Sequence, residues 1–162
     1  MAVPALTLRP PAVADEQPVR EAHALLAAEG FVFGLGLDGR SWRSYLDWLA
    51  MVEAGRAPWV PASFLLAEVD GVIVGRTSIR HRLDERLAVE GGHIGYCVLP
   101  AHRGRGHATE ILRQSLTVAR HHGVTKALLT CDETNLASRK VIEHCGGTLE
   151  STDGRTRRYW LG

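Results

Sequence analysis

The residues with most capacity for chemistry lie between positions 98 and 112, where the chain reads VLPAHRGRGHATEIL. An apolar, strand-like run closes at Pro100, a short turn follows, and Arg103-Gly104-Arg105-Gly106-His107-Ala108 opens a helix. Glycines let successive backbone N–H groups turn inward, and a helix N-terminus presents unpaired donors and the positive end of its dipole. That combination suits a phosphate, and Ala108 is too small to obstruct an approaching ligand. Arg103 and Arg105 either supplement the backbone or stand in solvent. Taken as glycine spacing alone, the segment also reads as a simple tight turn. It is neither the GxxxxGK[ST] of a nucleotide loop nor the GxGxxG of a dinucleotide site.

His93 stands just upstream, in GGHIGYCVLP. Strand alternation puts His93, Gly95, Cys97 and Leu99 on one face and Ile94, Tyr96 and Val98 on the other. The bare Gly95 leaves room beside the imidazole, whose intrinsic pKa suits a proton acceptor near neutral pH. Hydrogen bonding to a substrate and a purely structural role are the alternatives. Cys97, Cys131 and Cys145 are odd in number and sit in apolar or helical surroundings, so they read as small buried hydrophobes. No CxxC pair or His/Cys cluster has tetrahedral spacing, and the adjacent His121 and His122 converge poorly on one ion, so no metal is expected.

These residues need a scaffold, and the pattern around them supplies one of mixed α/β order. Ala5–Arg9 is a short strand ended by Pro10-Pro11, and residues 13–28 read as a helix interrupted or restarted near Pro18. Gly30–Gly39 is a glycine-rich connection, either loop or short edge segment. Ser41 caps a helix to Ala54 whose aromatic stripe (Trp42, Tyr45, Trp48) packs in the core or lines a cleft or dimer face. Ser63–Val69 and Val72–Arg80 form a hairpin through Asp70-Gly71. A charged loop, 81–92, leads to the strand His93–Leu99. The helix 106–122 is amphipathic. Thr125–Cys131, almost wholly apolar, reads as a central strand. A helix over 136–145 ends at Gly146-Gly147, and a last hairpin, 148–151 with 157–161, turns at Asp153-Gly154.

Length and composition bound the whole. At 162 residues, 45% apolar and 23% charged, the chain suits one domain, 1–162, with a sizeable core. Nineteen basic against 18 acidic residues give a net charge of +1, which disfavours a mainly electrostatic nucleic-acid or membrane binder. No apolar run reaches the length of a membrane span. The opening MAVPALTLRPP does not read as a secretory signal, and with the cysteine usage this points to the cytoplasm.

The motif Arg103-Gly104-Arg105-Gly106-His107-Ala108 matches [RQ]xxGx[GA], the pyrophosphate signature of the GCN5-related N-acetyltransferase (GNAT) family, and on it the sequence resembles that family. GGHIGYCVLP looks like the family's fourth strand and DETNLASRKVIEHCGG, 132–147, like its later cofactor-side helix. The resemblance spans essentially the whole chain and is most specific from Gly91 to Gly147. It implies the GNAT acyl-CoA N-acyltransferase fold, a mixed α/β (α+β-like) architecture with a central, mostly antiparallel sheet flanked by helices, and acetyl-CoA as cofactor. Backbone groups at Cys97, Val98 and Leu99 would then meet pantetheine, and residues 103–108, Arg103, Gly104, Arg105, Gly106, His107 and Ala108, the pyrophosphate. Asn135 and Ser138 match positions near the thiol end. Arg139 either approaches the cofactor or is surface charge. Many relatives place a glutamate base at the position of His93; Glu90 is the rival carboxylate here, and Asp84, Glu85 and Glu90 either attract a cationic amine or form a solvated loop. The tyrosine that protonates the leaving thiolate in many relatives is matched by Ile142, which has no proton to give. The implied activity is N-acetylation of a small-molecule amine (an amino-sugar or amine antibiotic, an amino acid or a polyamine) by direct attack in a ternary complex. A protein N-terminal or lysine acetyltransferase and a non-catalytic acyl-CoA sensor are the alternatives, and a homodimer is a further expectation.

Overall fold

The computed structural model describes residues 5–162; residues 1–4, the start of MAVPALTLRPP, lie outside it. Local signals set the first half. Thr7–Arg9 is β1, two residues shorter than expected. Val13–Asp15 forms one 3-10 turn and runs directly into α1, Glu16–Ala27. Pro18 falls in the first turn of α1, where an N–H is not needed, so the helix passes through it without interruption. Ser41 caps α2, Trp42–Glu53, its hydroxyl accepting from the Ser44 N–H at 3.2 Å. Asp70 and Gly71 take φ of 49° and 79°, the paired left-handed geometry that joins β2, Ala62–Val69, to β3, Val72–Arg80.

The charged stretch 81–92 is not a bare loop. Asp84 accepts from the Leu87 N–H at 2.8 Å and starts a one-turn helix, α3, Glu85–Val89, which buries Leu87. β4 follows as Ile94–Val98, then a 3-10 turn at Pro100–His102 and α4, His107–His121. The remainder is β5, Ala127–Asp132, α5, Leu136–His144, and the hairpin β6, Thr148–Thr152, and β7, Thr156–Leu161. Gly30–Gly39 forms turns, not an edge segment. Phe33 and Leu37 drop from it into the core, and the Arg76 guanidinium holds it to the sheet through the carbonyls of Phe33 (2.9 Å) and Val32 (2.6 Å).

All ladders are antiparallel and fall in two sheets, β1-β2-β3-β4 and β5-β7-β6. Helix α4 buries Ile111, Leu112, Leu116 and Ala119 against one face, meeting Leu65, Ile79 and Leu129. On the other face Val19 and Leu26 of α1 and Tyr45 of α2 pack on Phe64 and Leu66 of β2. β5, expected to be central, is an edge of its own ladder. Its free edge meets the chain entering β4 over residues 91–93, where the His93 N–H donates to the Leu128 carbonyl at 2.7 Å and the Gly91 N–H to Thr130 Oγ1 at 2.9 Å. Gly92 makes that contact feasible, because a Cβ there would collide with the Leu128 carbonyl. No ladder continues between β4 and β5 beyond this junction. Among the described residues no helix is long and apolar enough to cross a membrane.

Candidate active site

A cleft of about 610 Å³ opens where the two sheets part. Its walls are Tyr96, Cys97 and Val98 of β4, the turn and first residues of α4, and Asn135, Ser138 and Val141 at α5. Leu26, Glu29 and Phe31 close it from the α1 side. Of the twelve residues the family resemblance assigns to a cofactor, Cys97, Val98, Arg103, Gly104, Gly106, His107, Ala108, Asn135 and Ser138 line this one cleft; Leu99, Arg105 and Arg139 do not.

The turn into α4 is built as an anion cradle. Gly104 and Gly106 take φ of 75° and 82°, and a Cβ on either would meet nothing within 4 Å, so their demand is conformational and their surface open. The first hydrogen bond into the helix comes from the Glu110 N–H to the Gly106 carbonyl, at 3.2 Å. Among the described residues, the N–H groups of residues 104–109 have no partner. Those free donors, at the positive end of a four-turn helix, fit a pyrophosphate.

β4 presents a second set of free groups. The Arg80 N–H donates to the His93 carbonyl at 2.7 Å and the Leu99 N–H to the Val74 carbonyl at 2.8 Å. With the register Arg76↔Cys97 and Ser78↔Gly95, backbone groups of odd-numbered β4 residues face β3. Those of Tyr96 and Val98 therefore face the gap. This shifts the expected backbone contacts from Cys97 and Leu99 to Tyr96 and Val98.

Several side chains depart from their expected places. His93 is 8% exposed and absent from the cleft wall. Its Nδ1 accepts a hydrogen bond from the Leu128 N–H at 2.9 Å. A backbone amide can only donate, so the neutral ring carries its proton on Nε2 and its one lone pair is already used. Burial, then the nearby Arg80 charge, lowers its pKa. The geometry favours the structural reading of His93 over the general base. Arg103 gives its Nε–H to the Val98 carbonyl (3.1 Å) and grips Glu29 with both terminal nitrogens (3.1 and 3.3 Å), tying the cradle to the end of α1. Arg139 turns away to the Glu133 carbonyl at 3.2 Å, and Asp84 is committed to capping α3. Glu85 and Glu90 stand exposed on and just after α3.

Tyr96, which its position opposite His93 on the strand left without a catalytic role by sequence, lines the cleft. Its side chain points opposite to the His93 face, toward the helices, and its hydroxyl lies 3.1 Å from Ser138 Oγ across the cleft. Burial pushes its pKa up to about 12, against the hydrogen bond to Ser138, so it stays protonated at neutral pH. Alternation along GGHIGYCVLP already placed it on that face. Phe31 and Glu29 carried no such signal, because the path of the 30–39 turns depends on tertiary contacts with Arg76.

The family model for the acetyltransferase (GNAT) family matches residues 25–147, from the last turns of α1 through the glycines after α5. No curated protein matches. Among solved structures, yncA from Salmonella typhimurium, solved with its cofactor acetyl-CoA, is 20% identical with a TM-score of 0.67, over 97% of this chain and 93% of that one. RimJ from Mycobacterium smegmatis, in complex with CoA-disulfide, is 21% identical with a TM-score of 0.71, over 96% and 81%. RimL, a ribosomal L7/L12 alpha-N-protein acetyltransferase in complex with coenzyme A, is 18% identical with a TM-score of 0.68, over 96% and 92%.

Proposed function

The chain belongs to the acetyltransferase (GNAT) family, and on that premise we propose that residues 1–162 form one N-acetyltransferase domain that carries the acetyl group of acetyl-CoA to the amine of a small molecule, by direct attack in a ternary complex. The observation that carries this reading is the opening of two sets of unpaired backbone donors, residues 104–109 and the free edge of β4, on one cleft. When bound, acetyl-CoA supplies an acyl group already activated as a thioester.

The chain's own work is then positioning and charge stabilisation. The N–H groups of residues 104–109 hold the phosphates. The N–H groups of Tyr96 and Val98 would donate to the thioester carbonyl oxygen and stabilise the negative charge that grows on it. The Tyr96 hydroxyl, paired with Ser138 in the cleft, would supply the leaving thiolate with the proton that Ile142 lacks. Val141 and Leu26 contribute apolar lining to the cleft. His93 locks β4 to β5 at the base of the gap and leaves the amine to arrive neutral, its proton passing to solvent.

Acetylation of protein N-termini is a second reading, supported by the likeness to RimL. Thiol release from acetyl-CoA across a library of small amines tests the proposal. Release with small amines and none with peptides is expected. Acetyl mass added to peptides, with no release from small amines, would favour the second reading; binding without release would favour a sensor.

A further inference from the structure

β3 carries a row of two cations, Arg76 and Arg80, that the mechanism above does not use. Arg76, Ser78 and Arg80 share the sheet face that α1 and α2 cover, opposite Cys97 and Gly95 of β4. The row begins at the cleft: Cys97 and Phe31 line it, and the Arg76 Cζ lies 4.8 Å from the centre of the Phe31 ring. Arg76 is 3% exposed, and its guanidinium donates only to the carbonyls of Phe33, Val32 and Gly95. Arg80 donates through Nη1 to the Gly91 and Gly92 carbonyls, at 3.1 and 3.4 Å; its Nε and Nη2 have no partner among the described residues. No carboxylate among the described residues forms an ion pair with either arginine.

A buried guanidinium normally has a counter-charge, because desolvation of an unpaired ion is expensive. Here two stand four residues apart with none, and Arg86 of α3 adds a third positive field. Burial, then Arg76 and Arg86, pulls the Arg80 pKa down to about 10, so the cation persists at neutral pH but is poorly compensated. The same face holds the buried Tyr45 hydroxyl, which has no hydrogen-bond partner. Gly95 keeps Arg80 close to β4: a Cβ there would lie 3.3 Å from its Nη1. Both Gly95 and Arg80 remain partly open to solvent. An oxyanion arriving beside Gly95 would come near the free Arg80 Nη2, which lies 3.6 Å from where a Gly95 Cβ would stand, and Nη2 with the unpartnered Nε is the pair of donors by which a guanidinium takes a carboxylate with two hydrogen bonds.

We infer that the acceptor amine carries an oxyanionic group, a carboxylate or phosphonate, which Arg80 binds beside Gly95 while the amine reaches the cleft at Cys97. This rests on the acetyl-transfer reading and names its substrate class. It excludes polyamines and favours amino acids over amino-sugars among the acceptors.

The test compares acetyl-CoA turnover with L-amino acids, the matching aminophosphonates and the matching α-carboxamides, with acetyl-CoA binding measured calorimetrically on the same samples. Turnover confined to the anionic panels is expected; the better of those two panels identifies the oxyanion. Arg80→Gln raises the acceptor KM at least 30-fold with the acetyl-CoA affinity unchanged, and Arg80→Lys, which keeps the charge, recovers part of the loss. Equal or better turnover of carboxamides, turnover of none of the three panels, or an unaltered KM in Arg80→Gln would overturn the inference. If Arg80→Gln does not fold, the panel comparison on the wild type decides it alone. Failure of the wild type to bind acetyl-CoA would sink the acetyl-transfer reading itself, and this inference with it; binding with a carboxamide preference would sink the inference only.

Discussion

The His93 imidazole illustrates how one hydrogen bond reassigns a residue. Histidine beside glycine on a strand is a reasonable base, and nothing in the local sequence shows that its lone pair is spent on the Leu128 N–H. Asparagine places an amide oxygen near the Nδ1 position. His93→Asn is therefore expected to keep the pH–rate profile and most of the stability, whereas His93→Ala orphans a buried N–H and loses about 1–3 kcal/mol in urea denaturation. Loss of the acidic limb together with a large fall in kcat in His93→Asn would restore it as the base. The lowered pKa of His93 also has a definite sign in stability. Above about pH 6.5 the ring is neutral whether folded or unfolded. As pH falls below that value the unfolded chain takes up the proton first, so stability drops toward the lowered folded pKa, and His93→Asn flattens that part of the curve. On the other face of the strand, Tyr96→Phe removes the hydroxyl to which protonation of the leaving thiolate is assigned while leaving the ring packed. Steady-state kinetics should show kcat lower by about 10²-fold, within the usual range for a general acid, at nearly unchanged acetyl-CoA affinity; an unaltered kcat would remove Tyr96 from the reaction.

Among the elements, α4 with its glycine turn was the most legible. Its start, its amphipathic face and the cradle at its N-terminus all follow from RGRGHATEILRQSL, because cap chemistry and helical periodicity are local. The Asp70-Gly71 hairpin and the Ser41 cap were legible for the same reason. What the sequence did not show is set by distant contacts. The turns at 30–39 take their shape from Arg76, and the parting of β4 from β5 rests on His93, Gly92 and Leu128, far apart along the chain. The helix α3 was hidden in a charged stretch that only its Asp84 cap betrays. The cradle's dependence on backbone shape gives a direct prediction. Gly106 sits at φ 82°, so Gly106→Ala forces a left-handed conformation on a residue with a Cβ. Chemical denaturation should register a loss of about 1–2 kcal/mol, with acetyl-CoA affinity weakened as the donors rotate. An affinity equal to wild type would mean that the phosphates are held elsewhere.

For the whole molecule, the near-neutral charge of +1 and the proposed phosphate-binding role of the cleft are compatible because unpaired amides, not net charge, would supply the attraction. Two sheets that part beyond residues 91–93 leave a gap between them, and the proposed acetyl transfer is assigned to that gap. The account stands on this location, and a thermal unfolding series with saturating acetyl-CoA tests it. Ligand at a hundredfold excess over Kd adds about 2.7 kcal/mol, which for a chain of this size raises Tm by about 5–10 °C. Ala108→Glu is the control: a carboxylate in the first turn suits the helix dipole, so the free protein keeps its Tm, but the side chain fills the cradle and repels phosphate. The expected result is a clear rise in the wild type and none in Ala108→Glu. No rise in the wild type, or the same rise in both, would contradict the account.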